Sequence, residues 1–358
     1  MRVLALTKYG RTGASSRLRF IQYLPYLKSA DIHVEVSSLF SDAYVQGLQL
    51  GHRSATHIVS GYLKRAFTLC RSSDFDLLWI EKDALPWLPS TIERAMFPAK
   101  TPFVLDYDDA VFHSYDQHSS NCVRQLLADK HSDLMQGAAL VVAGNEYLAK
   151  FAQQSGAKHI EIVPTVIDLN RYSIPIFDQL AVDTIPCIGW IGQRSTAPFL
   201  SQLATVFQKL ITERSARFAA IGIDADSFGL PMSSVPWTEN TEVASICNLD
   251  IGIMPLVDEP FARGKCGYKL IQYMACGLPV VASPVGVNCQ IVEHGVNGFL
   301  ADTPDDWLSA LRALATDPDM RKRMGQAGRR KVEQAYCLQV TGYKLAELLK
   351  SAASLNGK

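Results

Sequence analysis

The stretch from Asp258 to Ala301 restricts the architectures open to this chain more than any other. Gly264-Lys265-Cys266-Gly267-Tyr268 forms a short glycine-rich turn. Lys269 to Ala275 then carries Leu270, Ile271 and Met274 on one apolar face, and Leu278-Pro279-Val280-Val281-Ala282 follows Cys276-Gly277. A short run that is apolar at every position reads as a strand buried on both faces, which calls for a parallel sheet covered by helices. The run ends in Ser283-Pro284-Val285-Gly286-Val287-Asn288, a loop at the carboxyl edge of a sheet, where open α/β folds bind ligands. A helix that starts directly after a glycine turn presents unsatisfied N–H groups and the positive end of its dipole, and both attract phosphate. Lys265 and Lys269 add cationic charge there. The plainer alternative makes the glycines helix stops and the lysines a solvated face.

The same unit repeats along the chain. Short apolar strands are expected at Val3 to Leu6, Val34 to Val36, Leu77 to Ile80, Phe103 to Leu105 and Leu140 to Ala143, with helical segments between them, Arg17 to Lys28 being the first. Glu161 to Asp168 reads as a strand running into irregular chain, and Leu169 to Thr184 as a linker. A second series follows: strand Cys187 to Ile191, loop Gly192 to Thr196, helix Pro198 to Glu213, strand Phe218 to Ile221, helix Val243 to Asn248 and strand Asp250 to Pro255. Helices Asp305 to Thr316 and Pro318 to Gln334 and a last amphipathic helix from Gln339 to about Leu355 complete it. The expected fold class is α/β, with one doubly wound domain over 1–172 and another over 173–338, the segment 339–358 packing back on the first. A length of 358 residues fits two domains.

Charge is balanced at +0, so no global field points to nucleic acid. None of the eight cysteines has a partner at the two-residue spacing of a zinc or redox site, which suits reduced thiols in a cytoplasmic protein. Met1 to Thr7 is too short for a signal core, and no apolar run has the length of a membrane span.

Three further features draw attention. The loop Lys8 to Ser16 holds Gly10 and Gly13 but neither the third glycine of a dinucleotide fingerprint nor the Lys-Ser/Thr of a P-loop. It is a tight turn, or a backbone that approaches a diphosphate or an acceptor sugar. From Ala43 to Ser73 there is no acidic residue, while Arg53, Lys64, Arg65 and Arg71 alternate with apolar side chains. Such a helix can lie on an anionic bilayer, or be an ordinary core helix with a basic outer face. Asp106-Tyr107-Asp108-Asp109 ends a strand, and carboxylates so crowded bind a cation, pair with arginine or do chemistry. Asp106 and Asp108 would be the ligands of a metal.

IEIVPTVID, IGWIGQRS, DIGIMPL, KLIQYMACGLPVVASPVGVN and GVNGFLA, in that order through the second half, with GNEYLAKF in the first, resemble glycosyltransferase family 4, the group 1 glycosyltransferases of GT-B fold. The resemblance implies two Rossmann-like domains facing each other across a cleft, the nucleotide on the second and the acceptor on the first. It implies that Arg194 and Lys269 neutralise the donor diphosphate, assisted by Lys265 and by backbone N–H groups from Gly267 to Lys269. The donor would also meet Gly13, Gly192, Tyr268, Val287 and Asn288, and Trp237 would flank the base or pack in the core. Two glutamates that the family places in this stretch are here Gly264 and Gln272. Gln272 can bind a ribose through its amide, and Asp258 or Glu259 would replace the first carboxylate. Asp108 and Asp109 stand where the family has a histidine, and Asp108 would orient the acceptor hydroxyl or the donor.

The activity implied is retaining transfer of a sugar from a UDP, GDP or dTDP donor to a saccharide or lipid-linked saccharide, in cell-surface polysaccharide, lipopolysaccharide or glycolipid assembly. No metal cofactor is expected, because Arg194 and Lys269 supply the charge. The protein would be cytoplasmic, or peripheral on the cytoplasmic face of the membrane. The departures keep two alternatives open: a non-catalytic nucleotide-sugar-binding subunit, and a nucleotide-sugar epimerase on the same fold.

Overall fold

Residues 1–49, 52, 54–172 and 185–355 are described by a computed structural model. Arg53, most of the expected linker and the last three residues of the expected C-terminal segment 339–358 lie outside them. The chain forms two units, Met1–Thr165 with Gly264–Cys266 and Leu338–Lys358, and Val166–Arg263 with Gly267–Cys337.

The first unit holds β1 (Arg2–Thr7), β2 (His33–Ser38), β3 (Leu77–Glu81), β4 (Phe103–Tyr107), β5 (Leu140–Ala143) and β6 (Ile160–Ile162), ordered β2-β1-β3-β4-β5-β6. All its ladders are parallel. The central strands β3, β4 and β5 are buried at every position, as strands covered on both faces must be, whereas the edge strands β2 and β6 are partly exposed. Strand order reverses between β1 and β3, so a crevice at the carboxyl edge lies between the loops that follow them. The helix Leu338–Ser354 belongs to this unit. Its Thr341 hydroxyl meets Tyr23 Oη at 3.0 Å, and Lys344 pairs with Glu161 at 3.1 Å.

The second unit repeats the plan with β7 (Cys187–Ile191), β8 (Arg217–Ile221), β9 (Ser233–Val235), β10 (Ile251–Met254), β11 (Val280–Ala282) and β12 (Gly298–Leu300), ordered β12-β11-β10-β7-β8-β9 and again parallel. Here the reversal lies between β7 and β10. Side chains of β7 alternate between two core layers, Cys187 and Ile191 in one, Ile188 and Trp190 in the other, so both faces of the sheet are packed.

Two expected helices are interrupted. Arg17 to Lys28 consists of a helix Ala14–Arg19, a 3-10 turn Ile21–Tyr23 and a helix Leu24–Ser29, and Pro25, which lacks an N–H, sits in the first turn of the last piece. Pro198 to Glu213 starts as a 3-10 segment, Ala197–Leu203, before the α-helix Ala204–Thr212.

Candidate functional site

In the second unit the loops at the carboxyl edge gather around Gly192 and Gly267. Gly192 directly follows β7, at the reversal point. A Cβ placed there would lie 2.4 Å from the Trp190 ring and 3.0 Å from Lys269 Cε, so the lysine stem runs against a backbone that only glycine leaves open. Lys269 Nζ then sits 5.2 Å from the Trp190 ring centroid. Two residues beyond Gly192, Arg194 is exposed with its guanidinium 5.4 Å from the Phe228 ring, and no carboxylate pairs with it among the described residues. The two cations singled out from sequence therefore flank the same short loop.

Gly267 precedes the helix Tyr268–Ala275 with φ 64°, a left-handed conformation that costs a side-chain-bearing residue ~1–2 kcal/mol. A Cβ on it would meet Ile291 Cδ1 at 2.3 Å and Val287 Cγ1 at 3.2 Å. Asn288 is buried beside it. Its Nδ2 donates to the Ser283 carbonyl at 3.0 Å, while its Oδ1 has no hydrogen-bond partner among the described residues. Gly267, Val287 and Asn288 thus converge at the N-terminal end of this helix, whose first-turn N–H groups point away from the helix.

Gln272, one turn further on, is 3% exposed, and its amide is already engaged. Nε2 donates to Tyr172 Oη at 3.0 Å, Tyr172 donates to Glu242 at 2.8 Å, and Trp237 Nε1 donates to the other Glu242 oxygen at 2.9 Å. Trp237 is therefore tied to this chain of side chains. Asp258 is in an exposed pair with Arg263 at 2.6 Å, and Glu259 is exposed. Tyr268 packs against the core.

The first unit contributes the acidic cluster, and its four-residue run divides. Asp106 is a core residue, 2% exposed: Arg19 Nε lies 2.7 Å from Oδ1 and Trp79 Nε1 3.4 Å from Oδ2, and Arg19 also donates to the Val163 carbonyl. It is an arginine partner, which corrects its reading as a candidate metal ligand: both oxygens face donors inside the core. Among the described residues no three His, Cys, Asp or Glu side chains are grouped as a metal would need. Asp108 lies 2.7 Å from Lys82 Nζ. Burial works to raise the Asp108 carboxyl, but the Lys82 ammonium and hydrogen bonds from Lys82 and Ser15 bring it below the usual carboxylate range. Burial likewise disfavours charge on Lys82, and Asp108, Asp109 and Glu81 reverse that, so Lys82 stays protonated far above neutrality. Asp109 is 3.9 Å from Lys265, which with Gly264 and Cys266 is part of this unit, where Asn145 Nδ2 holds the Gly264 and Lys265 carbonyls. Gly13 caps the helix Ala14–Arg19 and closes a turn onto Gly10 at 3.1 Å; a Cβ there would lie 2.5 Å from Tyr9 Cβ.

Lys82, Arg19, Tyr172 and Glu242 were not singled out in the sequence. Lys82 carried a signal of the same kind as Asp106 to Asp109, a charged run, Glu81-Lys82-Asp83, closing an apolar strand.

Residues 184–317 match the family model described as glycosyl transferases group 1. This segment is a group 1 glycosyltransferase domain. The D-inositol 3-phosphate glycosyltransferase of Pseudarthrobacter chlorophenolicus is 29% identical over 136 residues, covering 37% of this chain and 31% of that protein. The spore coat protein SA of Bacillus subtilis is 30% identical over 101 residues, covering 27% of this chain and 24% of that protein. The chain thus spans less than a third of the length of these curated relatives. Among solved structures, Anabaena Alr3699/HepE in complex with UDP and glucose superposes with TM-score 0.71 at 18% identity, over 98% of this chain and all of that one. WaaG, a glycosyltransferase involved in lipopolysaccharide biosynthesis, gives TM-score 0.69 at 12% identity, over 98% of this chain and 99% of that one. The two parallel six-stranded sheets, each with helices, are those of the GT-B glycosyltransferases.

Proposed function

We propose that this chain is a retaining glycosyltransferase that moves a sugar from a nucleotide-diphosphate sugar to a saccharide or lipid-linked saccharide. The observation that carries the reading is the pairing of Lys269 and Arg194 around the Gly192 loop, at the reversal point of the second sheet. Two cations and a helix N-terminus suit a diphosphate whose charge grows as the sugar departs, and such charge stabilisation is the largest catalytic contribution available. They also meet the electrostatic demand that a divalent metal meets elsewhere, so we assign no metal. The HepE complexes with UDP and with UDP-glucose support a uridine donor. With Nε2 donating to Tyr172, the Gln272 carbonyl oxygen is the amide atom we assign to a ribose hydroxyl. Asp108, kept ionised by Lys82, is the polar group we assign to the acceptor side, in the first unit. The WaaG likeness supports a place in cell-surface polysaccharide or lipopolysaccharide assembly.

The test is incubation with UDP-, GDP- and dTDP-sugars, with and without saccharide acceptors, following nucleotide release and transfer. Release with transfer is expected from one donor class. Interconversion of the donor sugar without release would favour the epimerase reading, and tight binding without either reaction the non-catalytic subunit.

The basic helix adds a membrane-surface reading. Among the described residues no helix is long and apolar enough to cross a membrane. On the helix Ala55–Cys70, however, Val59, Leu63 and Phe67 are 59%, 67% and 63% exposed at four-residue spacing, and Lys64 and Arg71 are exposed beside them. Apolar side chains flanked by cations suit an anionic bilayer, where each lysine or arginine contributes about 1 kcal/mol. Arg65 has no part in that face. It is 1% exposed and donates to the Ala84, Thr7 and Ser37 carbonyls, and burial lowers its guanidinium to about 10. Co-sedimentation with phosphatidylglycerol vesicles is expected to fall at least tenfold on Leu63→Glu with Phe67→Glu, and unchanged sedimentation would sink the idea.

A further inference from the structure

Among the described residues, four that are not glycine have positive φ: Asp31, Lys82, Trp87 and Arg214. Asp31 and Arg214 closely follow the ends of the helices Leu24–Ser29 and Ala204–Thr212, where a left-handed residue is common. Lys82 and Trp87 have no such excuse. Both lie in the single loop between β3 and the helix Ser90–Ala95, at φ 63° and 64°. A bulky residue in this region is an outlier that persists only where its surroundings over-determine it.

The surroundings do so at nearly every peptide group. Arg65 donates to the Ala84 carbonyl at 3.1 Å, Lys130 to the Leu85 carbonyl at 2.6 Å, and Tyr62 to the Pro86 carbonyl. Glu93 accepts from the Ala84 and Leu85 N–H groups, and Tyr115 Oη accepts from the Trp87 N–H at 3.2 Å. Lys130 is also paired with Asp83 at 2.8 Å and Glu93 at 3.1 Å. Arg65, Lys130 and Glu93 are fully or almost fully buried. Charged groups have been taken out of water to hold seven residues of loop in one shape.

What that shape presents is an indole. Trp79, Trp190 and Trp307 are at most 2% exposed and Trp237 is partly buried, yet Trp87 is 52% exposed. Tyr115 and His118 meet its ring at T-shaped angles, with centroids 5.0 and 5.8 Å away, and neither lies flat on it. The loop follows β3, so it borders the crevice between β1 and β3 where the first sheet reverses. Its other end carries the Lys82–Asp108 pair with Ser15 beside it. An aromatic face on a braced loop whose other end carries buried polar groups matches a pyranose ring, which has an apolar C–H face and a hydroxylated rim. A lipid surface needs no such rigidity.

We propose that Trp87 is a stacking platform for a saccharide ring of the acceptor, held by the braced loop Lys82 to Leu88. This rests on the glycosyltransferase reading and deepens it at the acceptor side. The test is a fluorescence and calorimetric titration of the whole protein with a panel of methyl hexosides and disaccharides, without donor. At least one saccharide is expected to shift the emission of the wild type. Trp87→Ala is expected to weaken its binding at least tenfold, and Trp87→Phe, which keeps an aromatic face, to weaken it less, with UDP affinity unchanged in both. Equal saccharide affinity in wild type and Trp87→Ala would overturn the proposal. So would a panel that leaves the wild type silent up to the solubility limit, or a Trp87→Ala variant that loses vesicle binding alone. Failure of the wider reading shows separately, as no nucleotide release by the wild type from any donor.

Discussion

Replacing Lys269 by alanine is expected to lower kcat/KM for transfer from a nucleotide-diphosphate sugar on the order of 10²–10³-fold, about 3–4 kcal/mol of transition-state stabilisation. The ammonium lies over Trp190 with its stem against Gly192, so the position of the charge is set by packing. Arg194→Ala should lose a comparable factor. The loss should fall mainly on kcat, with donor affinity changing less, because negative charge on the leaving diphosphate grows as the glycosidic bond breaks. Lys269→Arg should recover part of the rate. The double variant should lose less than the product of the two single losses, since both cations act on one leaving group. Steady-state nucleotide release at saturating acceptor measures all four enzymes. Unchanged turnover in either single variant would remove that residue from the mechanism.

Asp106→Leu is expected to destabilise the protein by roughly 3–5 kcal/mol, because it strands the Arg19 guanidinium in the core without its counter-charge. Arg19→Met combined with Asp106→Leu should recover more than half of that loss, since well-packed apolar side chains often replace a buried ion pair at little cost. Urea denaturation of the wild type and the two variants gives the numbers, and chelator should leave the wild-type midpoint where it was. A chelator-sensitive wild type, with Asp106→Leu as stable as wild type, would restore the metal-ligand reading of that aspartate.

Those two predictions stand on different kinds of information. Lys269 could be picked out in advance because its signal is local, a glycine turn with a helix directly after it, whereas Arg194 entered only through the resemblance of IGWIGQRS to the group 1 glycosyltransferases. Strands β5 and β7 fall at their sequence-read limits for the same reason, since an uninterrupted apolar run between breakers specifies a buried parallel strand without reference to anything distant. The division within Asp106 to Asp109 was not legible. Which carboxylate meets an arginine depends on a residue 87 positions away, and which meets a lysine depends on how β3 and β4 are aligned. Arg65 misled for a related reason: a basic side chain on an amphipathic helix looks solvated until the carbonyls that solvate it, in β1, in β2 and in the loop after β3, are brought to it.

By itself, then, the sequence determined two α/β series, their parallel sheets and the cationic loops at the edge of the second, because hydrophobic period and turn chemistry act within a few residues. Only the tertiary structure decided which charges are functional candidates and which are core. It gave Asp106 to Arg19, Asp108 to Lys82 and Gln272 to Tyr172, and it left Trp87 exposed on a strained, braced loop. The ionisation and exposure of a side chain are set by neighbours that the fold assembles, and those neighbours are remote in the chain.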